Sequence, residues 1–580
     1  MHAKAGAARV TLRFLTILAL VAPTLAAPVA ASANDTAGPY LATRAARFDS
    51  DYASAATYAL RALKSDPDNL VLLDSAIGSL LATGKVEKAL PIAKRMAAED
   101  MRSQVAQMVL LGDAVVTGDF ATVLKMIDAK EAVGPLADGL IGAWATLGTG
   151  DMGTALEKFD AIAAEPGLRS LAVYHKALAL ASVGDFESAD KIYSGDVDGP
   201  MQTTRRSVIA WAEVLSQLER NKDAIKILDD TFGTDSDPQV ADLRARLAAG
   251  ERLNLGRIET PRQGISEVFL SLGMALLQDT SPDYVLLYTR LAEYLDPDDV
   301  DAMIMTGELL AQLGRYELAT QAFQRVPASS PSYYTAELSR AETLRSSGDL
   351  QGAIDVVASL RKSHPAVALV QASAGDLYRQ SEQFDKAVEA YDAAIKLFKA
   401  RGDEPWFVVY SRAISYERLG KWPEAETDFR RALELNPGEP MVLNYLGYSL
   451  VEQRMKLDEA LDMIERAVQA EPNSGAIVDS LGWAQFRLGR YDEAVVNLER
   501  AAELYAVDPV VNDHLGDAMW AVGRHTEARF QWRRALSLVN KDKPTPDVDP
   551  DRVRRKLEIG LDKVLEEEGA EPLKVRNDEG

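Results

Sequence analysis

LGWAQFRLGRYDEAVVNLERAAEL, Leu481 to Leu504, reads as two amphipathic helices joined by a tight turn at Gly489-Arg490. The same grammar recurs on either side. ISYERLGKWPEAETDFRRALELNP runs from Ile414 to Pro437, and GDAMWAVGRHTEARFQWRRALSL from Gly516 to Leu538. A unit that returns about every 34 residues is the signature of stacked helix-turn-helix repeats, each too small to bury its own apolar face.

Working outward, a small residue marks the second helix of each unit. Ala55, Ala89, Val123, Ala155, Ala189 and Ala224 are spaced by 32 to 35 residues; Val285, Ala319, Ala353, Ala387, Ala425, Ala460, Ala494 and Ala528 by 34 to 38. A small side chain is required where two helices cross closely, because extra methylenes there cost about 1–3 kcal/mol. About five residues earlier a glycine such as Gly84, Gly348 or Gly489 supplies the helix-ending turn. An aromatic residue often opens the second helix (Phe120, Tyr316, Trp422, Tyr491), and a proline closes several units (Pro67, Pro365, Pro437, Pro472). The spacing predicts about 14 units.

Leu-Gly in the first helix (Leu481-Gly482, Leu515-Gly516), the Gly-aromatic turn, the Ala and the closing Pro together resemble the tetratricopeptide repeat family over residues 36–540. The match is tightest from Trp406 to Leu538. The resemblance implies an all-α fold, a right-handed superhelical solenoid, whose concave face is lined by first helices and binds proteins or peptides.

The register breaks once, between Ala224 and Val285, 61 residues apart. The expected organisation is therefore an N-terminal array (36–238), an irregular junction (239–265) and a C-terminal array (266–540). The junction reads either as a kink or hinge, or as a degenerate repeat that packs normally. A polar linker (541–550) and a capping helix (551–568) follow, with Asp549 as N-cap and Val553, Leu557, Leu561, Val564 and Leu565 on its inner face. An acidic tail at 569–580 is expected to be disordered.

Composition narrows function by exclusion. The formal charge of −23 opposes a nucleic-acid surface, and the absence of cysteine removes disulfides, thiolate metal sites and a cysteine nucleophile. Residues 1–33 read as a signal peptide. A basic start (His2, Lys4, Arg9, Arg13) precedes an apolar run from Phe14 to Ala22, with Ala31-Ser32-Ala33 offering cleavage after Ala33. The alternative is a retained anchor, for which the run, broken by Pro23 and Pro28, is short. The expected location is the periplasm.

No catalytic, cofactor-binding or metal-binding residue is expected. GTGDMG (Gly148 to Gly153) mimics a dinucleotide loop but follows a helix, where a phosphate loop must follow a strand. The five histidines share no metal-ligand spacing. The candidate partner-binding groove is Tyr410, Asn444, Tyr448, Asp479, Trp483, Asp513, Asp517 and Trp520, all on first helices of the last four units. Rings give contact area at low entropy cost, Asn offers a donor and an acceptor, and the Asp residues favour a basic or amine-bearing partner. The same rings fit equally well as packing between neighbouring first helices. Relatives that grip a partner's C-terminal carboxylate use a basic clamp in this groove, and here that face is acidic and aromatic.

NYLGYSL (Asn444 to Leu450), IVDSLGW (Ile477 to Trp483) and NDHLGDAMW (Asn512 to Trp520) are similar to proteobacterial cell-envelope repeat proteins. That group includes a lipoprotein adaptor of periplasmic carboxyl-terminal processing proteases. The resemblance implies an exported, non-catalytic scaffold whose partners are proteins, among them such a protease and its substrates; the chain lacks the lipid-bearing Cys of the adaptor type. The alternative is an assembly or structural factor for an outer-membrane or secretion complex.

Overall fold

The computed structural model describes residues 37–130, 132–199, 201–233, 238–256, 258–539 and 548–573. The leader with its Ala33 cleavage site, most of the 541–550 linker and the last seven residues of the tail lie outside these. Every regular element among the described residues is an α-helix, and the helices stack in antiparallel pairs as a solenoid. Packing divides the chain at Pro135/Leu136, well before the junction, into two compact units.

The first unit holds three pairs: Ala37–Phe48 with Tyr52–Ala62, Leu70–Ala82 with Val86–Ala98, and Gln104–Val116 with Phe120–Asp128. The second holds the other eleven pairs, one unpaired helix and two C-terminal helices. All the marked small residues, from Ala55 to Ala528, are fully buried.

The reason is visible in the 475–504 pair, Gly475–Leu488 with Tyr491–Leu504. A Cβ on Gly482 would lie 2.5 Å from Leu498 Cγ and 3.2 Å from the Ala494 carbonyl oxygen. The two backbones are in near contact, so neither position tolerates bulk. Gly489 then turns the chain at φ 78°; its N–H donates to the Phe486 carbonyl and Arg490 N–H to that of Gln485. Those two bonds satisfy carbonyls that the helix end would otherwise orphan. Elsewhere the turn is Gly-Asp, and the aspartate accepts from the backbone three residues on, as Asp119 does from Thr122 and Asp151 from Thr154. The GTGDMG loop is one of these turns, between helices Pro135–Gly148 and Met152–Ala163.

In the second unit, first helices pack directly on the next first helix, as Pro440–Glu452 on Gly475–Leu488 and that helix on Pro509–Ala521. Successive first helices are thus crowded together, which puts them on the inner side of the curve.

At the junction, the unpaired helix Pro238–Ala248 packs on Asn221–Phe232, and residues 251–256 are irregular. The helix Pro261–Leu276, capped by the Thr260 hydroxyl, turns back to lie against Arg169–Ser182. Gly264 is required there because the Trp144 ring fills the space of its missing Cβ. One helix of the later array thus packs on a helix of the earlier one.

The C-terminal cap is two helices rather than one over 551–568. Pro550–Ile559 and Leu561–Glu567 are broken at Gly560, φ 88°, where the Trp520 ring occupies the Cβ position. Asp549 caps the first by accepting from Asp551 N–H at 2.9 Å.

Candidate functional site

Four first helices carry the candidate groove: Trp406–Arg418, Pro440–Glu452, Gly475–Leu488 and Pro509–Ala521. The repeat places Tyr410, Asn444, Asp479 and Asp513 at one register position, and Tyr448, Trp483 and Asp517 one turn further on. Each first helix then offers a residue one place along, Tyr445, Ser480 or His514, toward its predecessor. The result is a ladder of inter-helix rungs.

The first rung is aromatic. Tyr410 packs edge-on to Tyr445 with centroids 6.0 Å apart and lies 5.9 Å from Phe429. Burial pushes its hydroxyl up to about 12. Tyr410 is therefore packing between helices as much as lining.

The second rung is unfilled. Ser480 donates its hydroxyl to the Ala476 carbonyl of its own helix, 3.1 Å away. The Asn444 Oδ1 is buried and has no hydrogen-bond partner. Tyr448, half-buried, sits one turn on.

The third rung joins Asp479 Oδ2 to His514 Nδ1 at 2.9 Å, both groups inside the protein. Burial alone would disfavour a charged imidazole, but the Asp479 carboxylate, backed by Asp513 and Asp517, raises the His514 pKa above its ordinary value. Trp483 stacks on the His514 ring at 3.9 Å and on Phe486 at 4.9 Å, and donates its indole N–H to Glu452 Oε1 at 2.7 Å. The other Asp479 oxygen, Oδ1, is buried without a partner.

The last rung is occupied from within the chain. Lys556, on the 550–559 helix, is fully buried and donates to both oxygens of Asp513 (3.0 and 2.9 Å) and of Asp517 (2.7 and 2.8 Å). Asp517 also accepts from the Trp532 indole at 2.8 Å. Burial raises the Asp517 carboxyl, offset in part by Lys556. Trp520 donates to Asp562 at 2.8 Å and packs on Trp532 and His525.

Of the eight predicted residues, Asp513, Asp517 and Trp520 are thus covered by the C-terminal helices. Asp479 and Trp483 are tied to His514 and Glu452. Asn444 Oδ1 and Asp479 Oδ1 are buried without a hydrogen-bond partner, and the half-buried Tyr448 lies one turn beyond Asn444. Sequence reasoning passed over His514 and Lys556. His514 was legible as the residue before Leu515-Gly516 in the repeat; Lys556 lies three residues after Val553 and four before Gly560, on the helix's inner face.

A second polar constellation lies at the junction, again between first helices. Glu267 accepts from the Tyr174 hydroxyl at 2.9 Å and from Arg206 Nε at 3.0 Å, with a second, shorter bond from Arg206 Nη2. Arg206 also pairs with Asp301 and, at 3.4 Å, with Asp299. Beside it the Trp144 indole donates to His175 Nδ1 at 3.1 Å, and His175 Nε2 lies 3.2 Å from the Ser271 hydroxyl. A ring that accepts at Nδ1 and donates at Nε2 is neutral; burial, with Arg206 nearby, pushes His175 down to about 3.

Comparison with known proteins concerns the repeat. A family model described as tetratricopeptide repeat matches residues 286–334, 338–404, 410–476 and 453–509. A TPR repeat-containing protein of Pseudomonas aeruginosa is 27% identical over 162 residues, 27% of this chain and 26% of that protein. A human protein named O-mannosyl-transferase TMTC1 is 24% identical over 229 residues, 40% of this chain and 24% of that one. The chain thus spans about a quarter of the length of these curated relatives. Among solved structures, the Cut9–Hcn1 hetero-tetramer of the APC/C matches at a TM-score of 0.37 and 15% identity, covering 90% of this chain and 96% of that one.

Proposed function

From a chain whose C-terminal region is an array of tetratricopeptide repeats, a fold suited to protein–protein interaction, we propose an exported, non-catalytic scaffold of the bacterial cell envelope that grips a segment of a partner protein in the groove of its last repeats. The observation that carries this reading is the line of polar and aromatic side chains that the last first helices bring to matching positions, Tyr410, Asn444 and Asp479, with the half-buried Tyr448 and Trp483 one turn on. Half-buried rings beside them offer contact area at low entropy cost.

The leader supports export, with cleavage after Ala33 and the periplasm as destination. The similarity of the NYLGYSL, IVDSLGW and NDHLGDAMW segments to envelope repeat proteins supports an adaptor role, in which the chain presents substrates to a periplasmic carboxyl-terminal processing protease. The sequence departs from that adaptor type in lacking the lipid-bearing Cys.

The test is affinity capture from an envelope extract with the tagged full chain as bait. A serine protease recovered with other envelope proteins is expected, together with a mature N-terminus at Asn34 by mass spectrometry. Recovery of outer-membrane assembly components without a protease would replace the adaptor with an assembly role. An intact Met1 on the mature protein would sink cleaved export.

A further inference from the structure

Upstream of the candidate groove, the first helices Tyr333–Ser346 and Ala368–Gln380 lie side by side with a cavity of about 370 Å³ between them. The repeat explains the space. In the last repeats the residue two places before the glycine is often a ring that reaches the preceding first helix, as Tyr445 reaches Tyr410 and His514 stacks on Trp483. Here that place, two before Gly375, holds Ser373, and the position it faces, three before Ala341, holds Leu338. Both line the cavity. Its floor is Val357 and Leu377, which belong to the apolar core. Its mouth carries the exposed Glu342 and Gln380, so the cavity is open to solvent.

Two guanidiniums, Arg345 and Arg379, also line it, each four residues after the small residue of its own helix. Arg345 is held along one edge by Glu342, Nε to Oε2 at 2.7 Å with a second, shorter bond from Nη2. Arg379 donates Nε to the Tyr391 hydroxyl at 3.2 Å and Nη2 to Asp376 Oδ1 at 3.5 Å. Their charges are therefore balanced and their planes held by neighbours. An incoming carboxylate would meet Glu342 and Asp376, and an incoming ammonium would meet Arg345 and Arg379. With two cations against two anions, the lining favours a neutral group. Ligand pockets span roughly 300–1,000 Å³, so a cavity of about 370 Å³ suits one side chain better than a cofactor. Among neutral side chains, an aliphatic one gains only the apolar floor. An aromatic ring gains the floor and also the attraction of its face for a guanidinium.

We propose that the cavity between the 333–346 and 368–380 helices takes one aromatic side chain of a partner protein, its ring edge on Leu338, Val357 and Leu377 and its face toward Arg345 and Arg379. The site rests on the reading of the chain as a protein-binding scaffold and lies outside the positions from Tyr410 to Trp520. It gives that scaffold a second contact of different chemistry, neutral and aromatic where the last repeats are acidic.

The experiment uses the full chain and two probes, N-acetyl-phenylalaninamide and its cyclohexylalanine analogue, which has nearly the same shape and no π face. Saturation-transfer NMR titrations are expected to show the phenylalanine compound binding about fivefold tighter, the size of an exposed cation–π contact. Arg345→Met and Arg379→Met keep an apolar stem and remove the charge. Each is expected to lower binding of the phenylalanine compound toward the cyclohexyl value and leave the cyclohexyl compound unchanged. Ser373→Tyr supplies from within the chain the ring that other repeats carry there, so it is expected to abolish binding of both compounds with no drop in melting temperature. Equal binding of the two compounds, a preference that survives both Arg variants, signal that survives Ser373→Tyr, or no binding at millimolar concentration overturns the site. A lowered melting temperature for Ser373→Tyr does so too, because it would mean that the space is not there to fill. None of these outcomes bears on capture of a partner from an envelope extract, whose failure would count against the scaffold reading itself.

Discussion

The junction and the last four repeats are built from the same kind of first helix, and they treat the groove face in opposite ways. At the junction the 261–276 helix lies on the 169–182 helix, and Tyr174, His175, Arg206 and Glu267 find their partners inside the protein. In the last repeats the groove side is completed only at its end, by Lys556, and the rungs before it leave acceptors over. The difference teaches that polarity on a first helix does not by itself mark a binding surface.

The largest effects are expected where a buried charge loses its counterpart. Glu267→Ala leaves Arg206 with only Asp299 and Asp301 in a dry site, and a loss of about 3–5 kcal/mol is expected from chemical denaturation. Lys556→Met should cost a similar amount by leaving Asp513 and Asp517 buried side by side. The second loss should shrink on acidification, since protonating a carboxylate relieves the repulsion, whereas the first should not. Equal losses at pH 5 and pH 8 for Lys556→Met would break the comparison at its filled end.

Two buried histidines sharpen the contrast through the sign of their pH dependence. His175 is neutral in the fold, with its pKa near 3, so its contribution is whole above the ordinary value of 6.5. It is lost as pH falls below that, at about 1.4 kcal/mol per unit. His514 has a raised pKa, so its contribution is whole below 6.5 and is lost as pH rises through the folded value. Replacing each by Gln and comparing melting temperatures with the parent at pH 5 and pH 9 should therefore give opposite trends. His514→Gln costs more at low pH, and His175→Gln costs more at high pH. Matching trends would refute the assigned protonation states.

An effect of intermediate size tests the frame on which both regions hang. Ala494→Leu puts a branched side chain where the Ala494 backbone already meets Gly482, and about 1–3 kcal/mol of destabilisation is expected. An unchanged melting temperature would mean that the repeat register is misplaced.

That register is what the sequence displays most plainly. Ala494, Gly489 and Gly482 announce the pairing because close backbone approach and a left-handed turn admit few residue types, and the pattern repeats. The junction shows only as a gap in spacing. Its fold-back depends on Gly264 against Trp144 and Glu267 against Arg206, contacts between residues about 60 to 120 positions apart that no local period encodes. The period names a set of candidate groove positions, because it says which residues share one face of the first helices. Which of those positions are already used was not, since Asp513 and Asp517 look as available as Asp479 until Lys556 is seen between them. Gly560 carried the same hidden information: it breaks the cap into two helices so that the chain can pass Trp520.

The smallest change in stability should accompany the clearest change in binding, at Tyr448 and Trp483. Tyr448→Ala removes a half-buried ring from the unfilled rung, and Trp483→Phe keeps a ring over His514 while losing the indole bond to Glu452. A single hydrogen bond contributes about 0.5–1.5 kcal/mol net, so Trp483→Phe should stay within about that margin of the parent in denaturant, while Tyr448→Ala also gives up half-buried ring area and should cost about 1–2 kcal/mol. Binding of whatever partner the full chain captures is a different matter. Rings that exclude water around a desolvated polar contact commonly account for about 2 kcal/mol or more of affinity, roughly thirtyfold in Kd. Titration calorimetry on the captured partner should therefore show a loss for Tyr448→Ala that exceeds its loss in folding. For Tyr174→Phe at the junction, which removes only the hydroxyl donated to Glu267, the order should reverse, with folding weakened and binding untouched. If both variants lose stability and affinity in equal measure, the last repeats are closed in the same sense as the junction, and the unfilled rung is core.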